Sequence, residues 1–570
     1  MPADRICSTL ETHHLPSLEI EFEALSYTWG STENNTEIHL GDHAAPVTRN
    51  LFEALQALRF QDKPRVVWID ALCISQTDLE ERANQVNIMR HIYQKAQNVI
   101  VWLGPAADNS HLALDLVAKL SNIREQRHKF CNYGVILREH LPGLGLPDFL
   151  EPDWAALNSL LSRSWFNRVW VIQEVAVSRN CIVRCGDREI SWFVMANAAR
   201  TIHEAQLMVV FNEGYKHVCR LQAFQEVIAA GKELPLVTLL LSNQACLATD
   251  ARDKIFAMLG MASDVIQPGR AEGLPVSPNY RKAAAEVFTE SAKSCIDYFD
   301  ALDILAATVW EPEELKAPSW VPDWTKSLHC APLMVRENTA EYRASRGCGA
   351  RCKYSENGQI LHIFGIIFNR VAEVGSPLIE PGSGQNIDDV NIQSEWATIA
   401  EKLKSYPGKD GVDEAYFRTL IANTDNLARK ANDDYGSAFL SWYRWLYRAQ
   451  GLEIPEYLRE QQLNQTEEDT RATFFHTAVM RVCYGRRYFL TTGGYMGIGP
   501  TAMKVGDVVC VARGASVPLI LRERRTFVGD GVIQAFNAHY ERRLVGEAYV
   551  HGIMDGEAYD ESQLEEILLS

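Results

Sequence analysis

Glu174 is the carboxylate best placed to do chemistry in this chain. Trp165, Val169, Ile172 and Ala176 make one apolar stripe and Phe166, Trp170 and Val177 much of another, so the spacing predicts a single helix over 165–177, buried on most sides. Gln173 and Glu174 are its polar exceptions. An ionised carboxylate in such a place is costly unless it is paired, shifts its pKa or takes part in a reaction. Arg163, Arg168 and Arg82 are candidate partners, so a buried structural network stands beside the catalytic reading. Asp70, which ends the apolar run RVVWID, is a second candidate, either a ligand group at a strand end or a cap. Cys73 has no histidine in its block and reads as an inert thiol. The chain has no P-loop lysine motif and no serine-centred nucleophile elbow. Gly493-Gly494-Tyr495-Met496-Gly497 superficially suggests a nucleotide loop, but no helix follows it, and it reads as a tight turn.

These side chains need a framework. Phe22 to Trp29 is aromatic and β-prone, Ile38 to Val47 reads as a hairpin around Gly41-Asp42, and Leu51, Leu55 and Leu58 recur at helical spacing. Arg65 to Asp70 and Asn98 to Leu103 have the continuous apolar character of strands covered on both faces. Between them Thr77 and Glu80 form a capping-box pattern ahead of a stripe through Val86, Met89, Ile92 and Tyr93. Cys181 to Cys185 reads as a further strand, turned by Gly186-Asp187. This alternation predicts a parallel sheet flanked by helices, which binds ligands beyond the carboxyl ends of its strands. Trp29, Gly30, Asp70, Cys73 and Gly104 then share one edge.

Residues 192–310 look mainly helical, with Asp250 capping a helix through Ile255 to Leu259. Asn357-Gly358 is the strongest short hairpin signal. Helical pattern returns over 395–480, and short strands with glycine turns follow. The expected organisation is an α/β domain over 1–190, a helical region over 191–335, and a β-rich domain over 336–570 split by a helical insertion at about 385–480.

Bulk composition narrows the function classes. At 570 residues, with 47% hydrophobic and 23% charged residues, the chain is globular and modular. A net charge of −17 argues against a nucleic-acid partner, and the run Arg522, Glu523, Arg524, Arg525 reads as a solvated turn. The 13 cysteines, without a secretory pattern at the start, read as reduced intracellular thiols, and the expected location is cytoplasmic. Cys181/Cys185 and Cys348/Cys352 have no histidine or second pair to complete a zinc set, so no metal is expected. No apolar run is long enough for a membrane span.

Three blocks carry a resemblance: Ala24-Leu25-Ser26-Tyr27-Thr28-Trp29-Gly30; Val67 to Gln76 (VWIDALCISQ) continuing through Glu81-Arg82, Gln85, Met89 and Ile92-Tyr93; and Ser162 to Glu174 (SRSWFNRVWVIQE). In this order they resemble the heterokaryon incompatibility (HET) family, with Ser75 where a common variant has Asn. The segments 248–255 (ATDARDKI), 319–324 (SWVPDW) and 549–557 (YVHGIMDGE) look like stretches downstream of that domain in longer fungal members. The resemblance implies a role in fungal non-self recognition and programmed cell death, and a fold similar to TIR domains. Trp170 and Glu174 also resemble the Trp-x-x-x-Glu spacing of plant TIR domains, whose glutamate serves cleavage of the nicotinamide glycosidic bond. Carried over, Glu174 becomes the catalytic acid, with NAD as substrate and no cofactor. Trp29 is then placed to stack on nicotinamide or adenine, and Arg163 or Arg168 to meet the diphosphate, with Gly30 and Asp70 beside them. The other tryptophans, and Trp29 itself, have core packing as their ordinary role. The competing expectation is a noncatalytic signalling module that self-associates or recruits a protein partner.

Overall fold

Val99–Trp102, four buried residues in a row, form the middle strand of an N-terminal five-stranded sheet. The computed structural model describes residues 6–15, 20–31, 33, 35–124, 136–205, 207, 214–266, 272–308, 317–326, 332–333, 342–379, 389–426, 429–454, 456–459, 464–523 and 541–570. It divides into two compact units, one of residues 1–236, 246–265 and 277–282, the other of residues 237–245, 266–276 and 283–570.

In chain order the first unit opens with β1 (Cys7–Ser8), β2 (Glu23–Ser26), β3 (Asn35–Leu40), β4 (His43–Thr48), α1 (Arg49–Leu58), β5 (Val67–Trp68), α2 (Asp70–Cys73), α3 (Leu79–Lys95) and β6 (Val99–Trp102). It continues through α4 (Ser110–Ile123), α5 (Pro152–Leu161), α6 (Trp170–Ala176), β7 (Cys181–Cys185), β8 (Arg188–Ser191), α7 (Trp192–Glu204) and α8 (Gly214–Ala229). β3 and β4 pair antiparallel as the expected hairpin. The main sheet runs β5-β2-β6-β7-β8, parallel throughout except for the last pair. From β2 the chain steps to β5 on one side and then to β6 on the other. Such reversals open a crevice at the strands' carboxyl ends.

Period-two alternation divides β2 between two environments. Leu25, with Tyr27, Ile100 and Trp102, packs under Leu51, Ala54 and Leu58 of α1. Ser26 takes a hydrogen bond from the buried Trp165 indole at 2.9 Å. The α1 contacts are apolar, worth roughly 1.5–3 kcal/mol per fully buried large side chain.

Three local expectations change. The helix over 165–177 is broken: a short 3-10 turn at Ser164–Asn167 is followed by an extended Arg168, and α6 starts only at Trp170. Leu247 pairs with Arg168 there and takes up the backbone groups a continuous helix would use. The RVVWID strand shrinks to Val67–Trp68, because β5 lies at the sheet edge, and Asp70 opens α2 instead of ending a strand. The N-cap of α3 is Asp78, whose carboxylate accepts from the Glu80 and Glu81 amides, and not Thr77.

After α9 (Leu236–Ser242) and α10 (Asp253–Leu259) come α11 (Ala284–Phe299), β9 (Cys352–Tyr354) and the long β10 (Leu361–Val374). Asp250 accepts from the Arg252 amide, but α10 starts at Asp253 without a side-chain cap. β9 and β10 pair across Asn357-Gly358. Four helices follow, α12 (Asp389–Ala400), α13 (Val412–Leu420), α14 (Asp434–Ala449) and α15 (Gln465–Cys483), and then β11 (Arg486–Thr491), β12 (Met496–Pro500), β13 (Val508–Ala512), β14 (Leu519–Glu523), β15 (Glu541–Glu547), β16 (Tyr549–Val550) and β17 (Glu565–Leu569). β10 pairs with both β13 and β17, so β10, β13, β14, β15 and β17 close a ring, which leaves no edge among them. β17 takes Leu361 to Gly365 of β10 and β13 takes Gly365 to Arg370, the latter pairing with a register shift between Ile367 and Asn369. Gly493-Gly494 is the turn between β11 and β12. Residues 524 and 525 of the arginine run and the first residues of the expected insertion, 385–388, lie outside the described residues.

The chain is thus mixed α/β, with N-terminal sheets flanked by helices and a β-rich C-terminal region. Among the described residues no helix is long and apolar enough to cross a membrane, and no cluster of three metal-ligating side chains occurs.

Candidate functional site

Two carboxyl groups lie near the carboxyl ends of β2 and β5. Asp70 leaves β5 half-buried, and its Oδ2 accepts the Trp29 indole N–H at 2.9 Å while Oδ1 accepts the Ala71 amide at 2.7 Å. The Tyr27 hydroxyl bonds to it as well. Burial pushes the Asp70 carboxyl up, and the Arg168 guanidinium and the Trp29 bond pull it back only in part. Burial and the neighbouring Asp70 charge raise Tyr27 in turn, so its hydroxyl stays protonated.

Trp29 is aimed by the turn that follows β2. Asn50 donates to the Thr28 carbonyl at 2.6 Å and accepts the Trp102 indole N–H at 3.1 Å. Gly30 then turns the chain at φ +76. A Cβ there would meet Asn50 at a tolerable 3.5 Å, so backbone conformation and not space calls for glycine.

Glu174 approaches the same strand ends from α6 and is only 2% exposed. Burial raises its carboxyl to about 7, against the pull of Arg168 and of the neighbouring Ser26 and Tyr93 hydroxyls, the latter of which donates to the Leu25 carbonyl at 3.2 Å, and the Asp70 charge pushes the same way as burial. Its Oε2 has no hydrogen-bond partner. Arg168 acts on it through space: its own guanidinium donates to the Tyr27 carbonyl, and among the described residues it forms no ion pair with Glu174. The result is a carboxyl poised to change protonation near neutrality beside a second carboxyl in a different environment, an arrangement suited to proton transfer or to stabilising a developing cation.

The family model described as "Heterokaryon incompatibility protein (HET)" matches residues 22–174, and that of the "Het-6 beta-barrel domain" matches residues 390–570. Heterokaryon incompatibility protein 6, OR allele, of Neurospora crassa is 25% identical over an alignment covering 96% of this chain and 91% of that protein. The chain is a heterokaryon incompatibility (HET) domain protein. No solved structure matches it.

Within the HET domain the structure brings Trp29, Gly30, Asp70, Arg168 and Glu174 together. Arg163 goes elsewhere. Its Nη1 donates to the carbonyls of Leu103 and Pro105 at 2.8 and 3.1 Å and lies 3.1 Å from Cys185 Sγ, bracing the turn after β6. Gly104 turns the chain there at φ +105. Arg82 pairs with Asp250 and Asp253 and not with Glu174. Cys73 is half-buried, and burial raises its thiol, which keeps it protonated.

Sequence reasoning missed Ser26, Tyr27 and Tyr93, which read as plain strand and helix residues but supply the hydroxyls around the two carboxyls. Alternation along β2 was the available signal, since it places a polar Ser26 on the face opposite Leu25. It also missed that the Trp170 indole is held by Asp253, 83 residues later. No local spacing reports a contact of that range.

Proposed function

We propose that the chain acts in fungal non-self recognition and that its HET domain is a TIR-like cytoplasmic effector that cleaves the N-glycosidic bond of NAD at Glu174. The family supports the biological role. One observation carries the chemistry: a buried glutamate with an unpartnered oxygen, raised to about 7, next to Asp70 and Arg168.

In this reading the bond between the ribose C1′ and nicotinamide breaks, and its electron pair stays on the pyridine nitrogen and discharges it. The ribose carbon carries positive charge until water adds and gives up a proton. Ionised Glu174 stabilises that cation and accepts the proton. The Trp29 indole stacks on a substrate ring after leaving Asp70. Arg168 meets the diphosphate, a role Arg163 is less free to take because its guanidinium is bonded to backbone carbonyls. The near-complete burial of Glu174 means that the site must open before a substrate reaches it.

That same burial favours a second reading, in which the domain is a noncatalytic module acting by self-association or by recruiting a protein partner. Incubating the purified full-length chain with NAD and following nicotinamide separates the two. Release that rises with pH through about 7 and disappears in Glu174→Gln supports the hydrolase. No release at any pH from a folded, self-associating protein supports the module.

A further inference from the structure

The helix that carries Glu174 has little of its own to hold it. α6 is seven residues long, and its N-cap Val169 makes no side-chain bond to the first turn. The support comes from a downstream segment of the same compact unit. Leu247 brackets Arg168: its amide donates to the Asn167 carbonyl, and its carbonyl accepts the Val169 amide at 2.9 Å. Six residues on, Asp253 is 5% exposed and accepts three donors: the Trp170 indole N–H at 3.1 Å, the Tyr280 hydroxyl at 2.6 Å and Arg82 Nη2 at 3.2 Å. The Arg82 guanidinium also lies over the Tyr280 ring, 3.8 Å from its centroid, and reaches Asp250 at 3.5 Å. At the far end of α10, Gly260 closes against the side chain next to Glu174, since a Cβ there would fall 2.0 Å from Gln173 Oε1.

Trp170 opens α6 and Glu174 lies four residues later, one turn along the same face. We propose that Asp253 is a positioning residue: by holding the Trp170 indole, while Leu247 brackets Arg168, it fixes α6 so that Glu174 stays sealed against Ser26 and Tyr93. The functional meaning rests on Glu174 as the working carboxylate, but the geometry requires no reaction. Removing the Asp253 carboxylate takes the acceptor from the Trp170 indole N–H and the Tyr280 hydroxyl and leaves Arg82 with Asp250 at 3.5 Å. The first turn of α6 then loses its tether and water reaches Glu174. The working site of the HET domain therefore extends beyond residue 174, where the family match ends.

The test reads the protonation of Glu174 directly in the full-length protein, by difference infrared spectroscopy of its carboxyl against a Glu174→Gln reference, with circular dichroism to confirm folding. In the wild type the carboxyl titrates near 7. In Asp253→Ala, and in Trp170→Phe, which keeps the ring and removes only the donor, the midpoint moves toward that of an ordinary carboxylate, to a proton concentration at least about tenfold higher. Asp253→Asn retains an oxygen for the indole and stays nearer the wild type. An unmoved midpoint in folded Trp170→Phe overturns the proposal, as does an Asn variant shifted as far as Ala. If Asp253→Ala does not fold, Trp170→Phe decides. Nicotinamide assays on the same proteins keep the two claims apart: the predicted shifts without any NAD cleavage leave Asp253 as the positioning residue and overturn the hydrolase.

Discussion

Replacing Glu174 by glutamine makes the stability of the protein less dependent on pH, by an amount that follows from the burial of one carboxyl. In the unfolded chain Glu174 ionises at its ordinary 4.5, and in the folded protein at about 7. Between these values the folded state holds a proton that the unfolded state has released, so stability falls as pH rises, by about 1.4 kcal/mol per pH unit. Below 4.5 both states are protonated and the penalty vanishes; above about 7 it is complete, at about 3 kcal/mol. Glutamine carries no such proton. Titrating groups that do not interact with Glu174 cancel in the difference, and the coupling to Asp70 ranks well below burial among the causes of its shift. Urea unfolding of full-length wild type and Glu174→Gln, followed through tryptophan fluorescence from pH 4 to 8, should show the mutant gaining about 3 kcal/mol on the wild type across that range. A difference that stays flat with pH would refute the reasoning, because Glu174 would then ionise alike in both states.

Two further outcomes follow from the same geometry. Arg168→Met removes the positive charge that lowers both Glu174 and Asp70, so both carboxyls titrate at higher pH than in the wild type, a shift that carboxyl-resolved NMR or infrared titration measures. Gly186→Ala places a Cβ 2.9 Å from the Ala106 backbone nitrogen at a residue with φ +60; the turn between β7 and β8 must move, and thermal unfolding should report a loss of roughly 2 kcal/mol.

Much of the N-terminal unit was legible because its signals are local. Four consecutive buried apolar residues at Val99–Trp102 mark a strand covered on both faces, and Gly41-Asp42 turns a hairpin wherever it sits in a fold. Glu174 stood out for the same reason, as a carboxylate within an apolar helical pattern. What stayed hidden depends on distant pairing. Arg168 reads as one more helical residue, yet it is extended because Leu247 pairs with it, and that pairing breaks the helix. Arg163 and Arg168 are equivalent by type and spacing, but one reaches the carbonyls after β6 and the other reaches Tyr27 beside the carboxyls. The segment 248–255 was visible as a resemblance to longer fungal members without a role, and the contact of its Asp253 with Trp170, 83 residues away, was not visible at all. In the C-terminal region the short strands could be read from their glycine turns. The ring they close could not, because it depends on β10 pairing with strands far along the chain, β13 and β17.

The central claim joins Glu174 to cell death through NAD, and the most direct measurement follows both quantities together. Full-length wild type and Glu174→Gln are expressed to equal levels from an inducible promoter in fungal cells, and NAD content and viability are recorded over time. NAD that falls before viability with the wild type, and neither falling with Glu174→Gln, is the predicted result. Equal killing by both proteins with NAD unchanged would contradict the account and leave the domain a signalling module.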